Sequence, residues 1–229
     1  MTATCPLPQN ALRTIVNPVI KDSVTFLETA AETGGKQTCV RVTLMPGGGT
    51  PPHYHKFLTE TFEVIWGNLG LEVDGKALKL EAGEAVTVFP GMIHRFFNDG
   101  TEPVTFLTTI TPGSRGFEQS LHILYGLAAD GLTNSKAVPR SLTHLAIISD
   151  ISDMHTTGFL ALLNPLLRRL ARKAKQSGAY TALVQRYCGF VGPTPTLPER
   201  EGENPSCSQR KTPLGENPSF GGVGEAGAR

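Results

Sequence analysis

The 229-residue sequence has no run of eighteen apolar residues, which argues against a transmembrane helix. Its opening, Met1-Thr2-Ala3-Thr4-Cys5-Pro6-Leu7-Pro8, has neither the basic start nor the apolar core of a secretory signal. A charge excess is also missing. Lys and Arg number 21 against 20 Asp and Glu, and charged residues make up 18 % of the chain, so no global field marks a nucleic-acid binder. Cysteine is sparse: Cys5, Cys39, Cys188 and Cys207 lie far apart without a C-x-x-C pair. Neither a disulfide framework nor a zinc ribbon is indicated, and reduced thiols in a cytoplasmic protein are expected.

Glycine and proline, in contrast, are plentiful at 25 and 17 residues, more than a mostly helical chain would tolerate. Between them lie short alternating runs, Val24 to Leu27, Thr38 to Met45, Thr61 to Trp66, Leu69 to Val73, Ala85 to Phe89 and Val104 to Thr109. Alternation with a period of two is the pattern of half-buried antiparallel strands, and strands this short and regular predict a sandwich or barrel. After Pro112 the apolar spacing turns helical at Phe117, Leu121, Leu124 and Tyr125, and further helices are expected from Leu142 to Ser152, Phe159 to Ser177 and Tyr180 to Tyr187. Pro165 should interrupt or restart the third.

The expected layout is an N-terminal arm over 1–22, a β-barrel over 23–112, a helical extension over 113–190 and a tail over 191–229. The tail is rich in Pro, Gly, Glu and Ser and repeats Gly-Glu-Asn-Pro-Ser at 202–206 and 215–219, a composition that predicts disorder. The third helix is amphipathic, with Phe159, Leu160, Leu163, Leu167, Leu170 and Ala174 beside Arg168, Arg169, Arg172, Lys173 and Lys175. Docking on the barrel or a partner subunit is favoured over contact with an anionic membrane surface, because a docked helix hides its leucines without lipid. The basic segment lacks a nucleic-acid recognition unit, so no nucleic-acid partner is expected.

Chemistry concentrates in GGGTPPHYHKFLTETFEVIWG and GEAVTVFPGMIHRFFN. His53 and His55, two apart on an extended strand, leave the same face, and one metal can touch both. Glu60 opens a new run after a turn at 56–59, and His94 follows in the second segment. Imidazoles with a carboxylate suit Fe, Mn, Co, Ni, Cu or Zn far better than Ca or Mg.

These two segments resemble the signature motifs of the cupin superfamily. Gly47, His53, His55, Glu60 and Gly67 fit the first motif at each spacing; Gly83, Gly91, His94 and Asn98 fit the second, although Phe89 stands at its proline position and Pro90 follows. Fifteen residues part Gly67 from Gly83, the short spacing of compact microbial cupins. GFEQSLHILYGLAADGLTNSKAVPR also looks like the helical extension of a group of uncharacterised bacterial single-domain cupins.

The resemblance implies an all-β fold, an antiparallel jelly-roll-like barrel with a C-terminal α-helical extension. It also implies one divalent transition metal on His53, His55, Glu60 and His94. His122, His144 and His155 fall outside the motifs and are assigned to structure or surface. Three chemistries remain open: a metal-dependent oxidoreductase of dioxygenase type acting on a small organic molecule, a non-catalytic ligand-sensing module, and a metal-dependent isomerase. Phe62, Trp66, Phe89, Met92, Phe96 and Phe106 are candidates to line an apolar cavity, at least half of them expected in the core instead; Arg41 and Arg95 are candidates to orient a carboxylate or enolate, although a long charged residue on a strand more often faces solvent. A homodimer is expected, since an open strand edge needs cover.

Overall fold

The computed structural model describes residues 13–189, with 159–161 described by their backbone alone. Two antiparallel sheets enclose the main core. The six-stranded sheet holds β1 (Thr14–Asn17), β2 (Asp22–Glu28), β3 (Thr38–Leu44), β5 (Thr59–Trp66), β8 (Ala85–Val88) and β10 (Val104–Thr111), in the order β1-β2-β3-β10-β5-β8. The five-stranded sheet holds β4 (His53–His55), β6 (Leu69–Val73), β7 (Lys76–Leu80), β9 (His94–Phe97) and β11 (Met154–Thr156), in the order β11-β4-β9-β6-β7. Alternate residues supply the shared core: Val24, Phe26, Val40, Val42, Phe62, Val64 and Phe106 from the first sheet meet Leu69 and Leu71 from the second.

Four helices follow: α1 (Arg115–Ala129), α2 (Leu142–Ile151), α3 (Asn164–Gln176) and α4 (Ala179–Cys188). The Ser114 hydroxyl accepts from the Phe117 N–H at 3.1 Å, and Ser141 does the same for His144 at 3.4 Å, so both starts are capped by side chains. Pro165 sits in the first turn of α3, where it has no helical N–H to forgo; a 3-10 helix (Gly158–Leu163) precedes it.

Helix α1 lies between two cores. Its Tyr125 joins the barrel core, while Ile123 and Leu127 pack with Ile147, Ile148 and Leu183 from α2 and α4. Buried Glu118 fastens it to the barrel, accepting from the Ala30 N–H at 2.6 Å and the Thr38 hydroxyl at 2.7 Å.

The architecture is the expected jelly-roll-like barrel with helices after it, but several local expectations change. Residues 14–17 form a strand inside the stretch read as an arm. Its turn into β2 uses the Asn17 side chain, which accepts from the Val19 and Ile20 N–H groups, and Lys21 at φ 63°, so no glycine marks it. The amphipathic helix docks on α2 rather than on the barrel, because Leu167 and Ala171 pack with Ala146. Cys39 is disulfide-bonded, against the expectation of reduced thiols, with its partner outside the described residues. Finally, β11 was not anticipated. The tail expected over 191–229 and residues 1–12 lie outside the described residues, as do the side chains of Phe159 and Leu160 in the expected stripe. No described helix is long and apolar enough to cross a membrane.

Candidate metal centre

Three imidazoles from one sheet meet one carboxylate from the other. On β4 the buried residues are His53 and His55, while Tyr54 between them points the other way. His94, first residue of β9, is the cross-strand partner of His53, which brings their ring centroids to 4.4 Å. Glu60 enters from β5, where it is paired with Val88 and Ile110 and shares its buried face with Phe62 and Val64. The four residues are 2–5 % exposed, and each offers a ligand atom within 4.8 Å of the others. Gly67, which follows β5, holds φ 83°, and a Cβ there would lie 2.8 Å from the Pro103 carbonyl oxygen, so the first motif ends on a position only glycine fills easily.

Hydrogen bonding orients two of the rings. Nδ1 of His53 donates to the Pro51 carbonyl at 2.9 Å, and Nδ1 of His94 donates to the Met92 carbonyl at 3.0 Å. Since a carbonyl only accepts, each ring carries a proton on Nδ1 and turns Nε2 inward, the arrangement of a metal-ligating histidine. His55 has no hydrogen-bond partner on either nitrogen; its Nε2 stands 3.7 Å from Glu60 Oε2. A buried polar group without a partner costs roughly 1–3 kcal/mol, so the group fits a cation that would complete the coordination of His55.

The electrostatics agree. Burial pushes His53 down to about 4, helped by the neighbouring His94. Burial alone would raise Glu60, but the hydrogen bond from His94 at 2.7 Å and the other imidazoles outweigh it and hold the carboxyl at about 2. His94 moves up, since its bond to Glu60 overcomes the opposing effect of burial. An anionic carboxylate facing three inward imidazoles, with His94 giving up its Nε2 proton when a metal binds, is the donor set of a divalent transition metal with open positions.

The remaining candidates divide. Phe62 and Phe106 are core at 1 % and 0 % exposure, and Phe96 packs on both with centroids at 6.0 and 5.3 Å. Met92 is partly buried against that core. Trp66 and Phe89 are exposed. Arg95 alternates away from His94, donating to Glu72 at 2.8 Å and lying over the Phe97 ring, and Arg41 sits opposite the buried Val40 and Val42 face. Neither arginine shares a face with the four-residue group. His122 stacks on Phe26, and half-buried His144 lies outside the group, as does His155 beside Tyr54.

Sequence reasoning missed Asp153. Its carboxylate accepts from the Lys56 and Phe57 N–H groups at 2.8 and 2.7 Å, in the link between His55 and Glu60. The contact spans 97 residues and leaves no periodic signal.

Residues 40–110 match the family model described as the Cupin domain, and the chain therefore carries a cupin domain of the type-2 group. Among curated proteins it is similar to the probable oxidoreductase patJ of Aspergillus clavatus, 37 % identical over 79 residues, or 34 % of this chain and 24 % of that protein. It is also similar to the tetracenomycin polyketide synthase protein TcmJ of Streptomyces glaucescens, 35 % identical over 71 residues, or 31 % of this chain and 48 % of that one. The matches thus span less than half the length of these relatives, which are fungal as well as bacterial. A predicted oxalate decarboxylase from Thermotoga maritima is similar in structure, with TM-score 0.39 and 23 % identity over 40 % of this chain and 80 % of that one.

Proposed function

We propose that this chain is a metal-dependent oxidoreductase of dioxygenase type, holding one divalent transition metal on His53, His55, Glu60 and His94. The observation that carries the reading is His55, a buried imidazole with two unpartnered nitrogens inside a group whose donor atoms converge within 4.8 Å. When bound, such a metal supplies Lewis acidity and a place where dioxygen and a chelating substrate can meet. The chain's own contribution is to hold and dry the site. Pro51 and Met92 fix the tautomers, and Phe62 packs beside the His94 ring at 6.1 Å.

The names of the relatives support an oxidoreductase and point to polyketide-like substrates. We therefore place the substrate among small oxygen-rich aromatic or 1,3-dicarbonyl compounds, which chelate through oxygen. Anaerobic loading with Fe(II), and separately with Mn(II), Co(II), Ni(II), Cu(II) and Zn(II), followed by oxygen-uptake assays over catechols, flavonols and diketones, tests it. Uptake tied to consumption of one substrate class is expected. Stoichiometric metal with no uptake for any pairing would refute the dioxygenase reading, and turnover without oxygen would replace it with an isomerase.

A further inference from the structure

We propose that Asp153, in the helical extension, is a positioning residue for the His55–Glu60 pair and sets the metal affinity of the centre; this rests on the metal-binding reading above. Strand β4 carries two of the four donors, yet its ladder to β9 consists of the single pair His53↔His94. On its other edge β11 supplies three pairs, Met154↔His55, His155↔Tyr54 and Thr156↔His53. Beside that pair and a bond from the Gly91 N–H to the His55 carbonyl at 2.7 Å, the strand bearing the imidazoles is held by a segment that follows α2.

Asp153 completes the fastening. Oδ2 accepts the backbone N–H groups of Lys56 and Phe57, while Oδ1 meets His155 Nε2 at 3.1 Å. Those two amides lie in the short link from His55 to β5, whose second residue is Glu60, and the side chains of Lys56 and Phe57 point into solvent. Leu58 alone in that link is buried. Apart from the Gly91 N–H, which donates to the His55 carbonyl at 2.7 Å, and the burial of Leu58, the carboxylate is what fixes the link between the two ligands.

The geometry at Asp153 is itself specialised. Its φ is 55°, in the left-handed region that Asp and Asn enter more readily than other residues with a side chain. Charge-assisted bonds from two amides offset that strain. Partners outside the ligand set that orient ligands change metal affinity by about 10- to 100-fold when removed.

The test uses the full chain and Co(II) alone, with affinity read against a chromophoric chelator and geometry read from the Co(II) absorption bands. D153G removes the carboxylate but accepts the positive φ, whereas D153N keeps both the backbone preference and an acceptor oxygen. We expect D153G to bind about 10- to 100-fold more weakly with altered bands. D153N should stay within about 3-fold of wild type, as a neutral acceptor is weaker than a charged one. Hydrogen exchange on metal-free protein should show faster Lys56 and Phe57 amides in D153G at unchanged global stability. Wild-type protein that takes up no more Co(II) than H55A sinks the metal reading and this proposal together. Wild-type binding matched by D153G, with both amides still protected, sinks the positioning role alone.

Discussion

Asp22 opens β2 at 1 % exposure, with one carboxylate oxygen accepting the Tyr125 hydroxyl at 2.6 Å and the other without a partner. Burial raises its carboxyl from 3.8 to about 7, against the smaller opposing pull of the Tyr125 hydrogen bond. The folded state thus holds a proton that the unfolded state has released. Below pH 3.8 both states are protonated and nothing is lost; from there to about pH 7 stability falls as pH rises, and above it the full penalty applies. That interval corresponds to about 4 kcal/mol at roughly 1.4 kcal/mol per pH unit. D22N is neutral throughout and still accepts from Tyr125, although its amide group enters a site with no acceptor, costing roughly 1–3 kcal/mol at every pH. The difference between variant and wild type therefore carries the signal. Thermal melts at several pH values should show D22N equal to or below wild type at pH 4 and above it at pH 8. At about 2–4 °C per kcal/mol for a chain of this size, the relative Tm should climb by about 8–16 °C. Parallel curves would show that Asp22 is charged in the fold and that burial does not govern it.

Replacing His55 or His94 by Ala should lower metal content by orders of magnitude, and Glu60→Gln by less, with circular dichroism unchanged; equal occupancy by elemental analysis would relocate the site. Phe106→Ala, at a fully buried position between Phe62 and Phe96, should cost about 3–5 kcal/mol in urea unfolding, and a loss under about 1 kcal/mol would deny it a core role. We propose a homodimer, and light scattering should return twice the 24.5 kDa chain mass; a monomer at all concentrations refutes it. Deleting residues 157–229 should uncover Ile147, Leu127 and Ala146 and cause aggregation, since α3 and α4 pack over them. Salt-sensitive co-sedimentation of the full chain with anionic vesicles, lost on that deletion, would instead favour membrane contact through 159–177.

Legibility in the sequence followed the range of the interaction. Leu69–Val73 alternates within itself, so its strand is read from five residues without knowing its neighbours. His53 and His55 share a face for the same local reason, and the turn after Val73 announces itself through Asp74 and Gly75, both at positive φ. Lys76–Leu80 escaped because four of its five residues are exposed: an edge strand has no buried face to print a period. The outward aim of Arg95 follows from its place between His94 and Phe96, and agrees with the expectation that a long charged residue on a strand more often faces solvent. Cys39 and Asp153 depend on partners far along the chain or outside the described residues, and no composition or spacing rule reaches them.

The same distinction explains why the helices cannot be treated as an appendage to a finished barrel. A self-sufficient barrel would bury its core with its own strands and pair its own ligand strand on both edges. Here Tyr125 is a buried member of the barrel core, Leu121 and Leu124 pack against it, and Tyr125 is the partner of the buried Asp22. Glu118 satisfies the Ala30 amide and the Thr38 hydroxyl, two buried donors that would otherwise lack a partner and cost roughly 1–3 kcal/mol each. The free edge of β4 is occupied by β11, which only the passage through α1 and α2 can deliver. Barrel and extension therefore share core side chains and buried hydrogen bonds, and the role proposed for Asp153 ties the geometry of the four-residue group to contacts made more than ninety residues away.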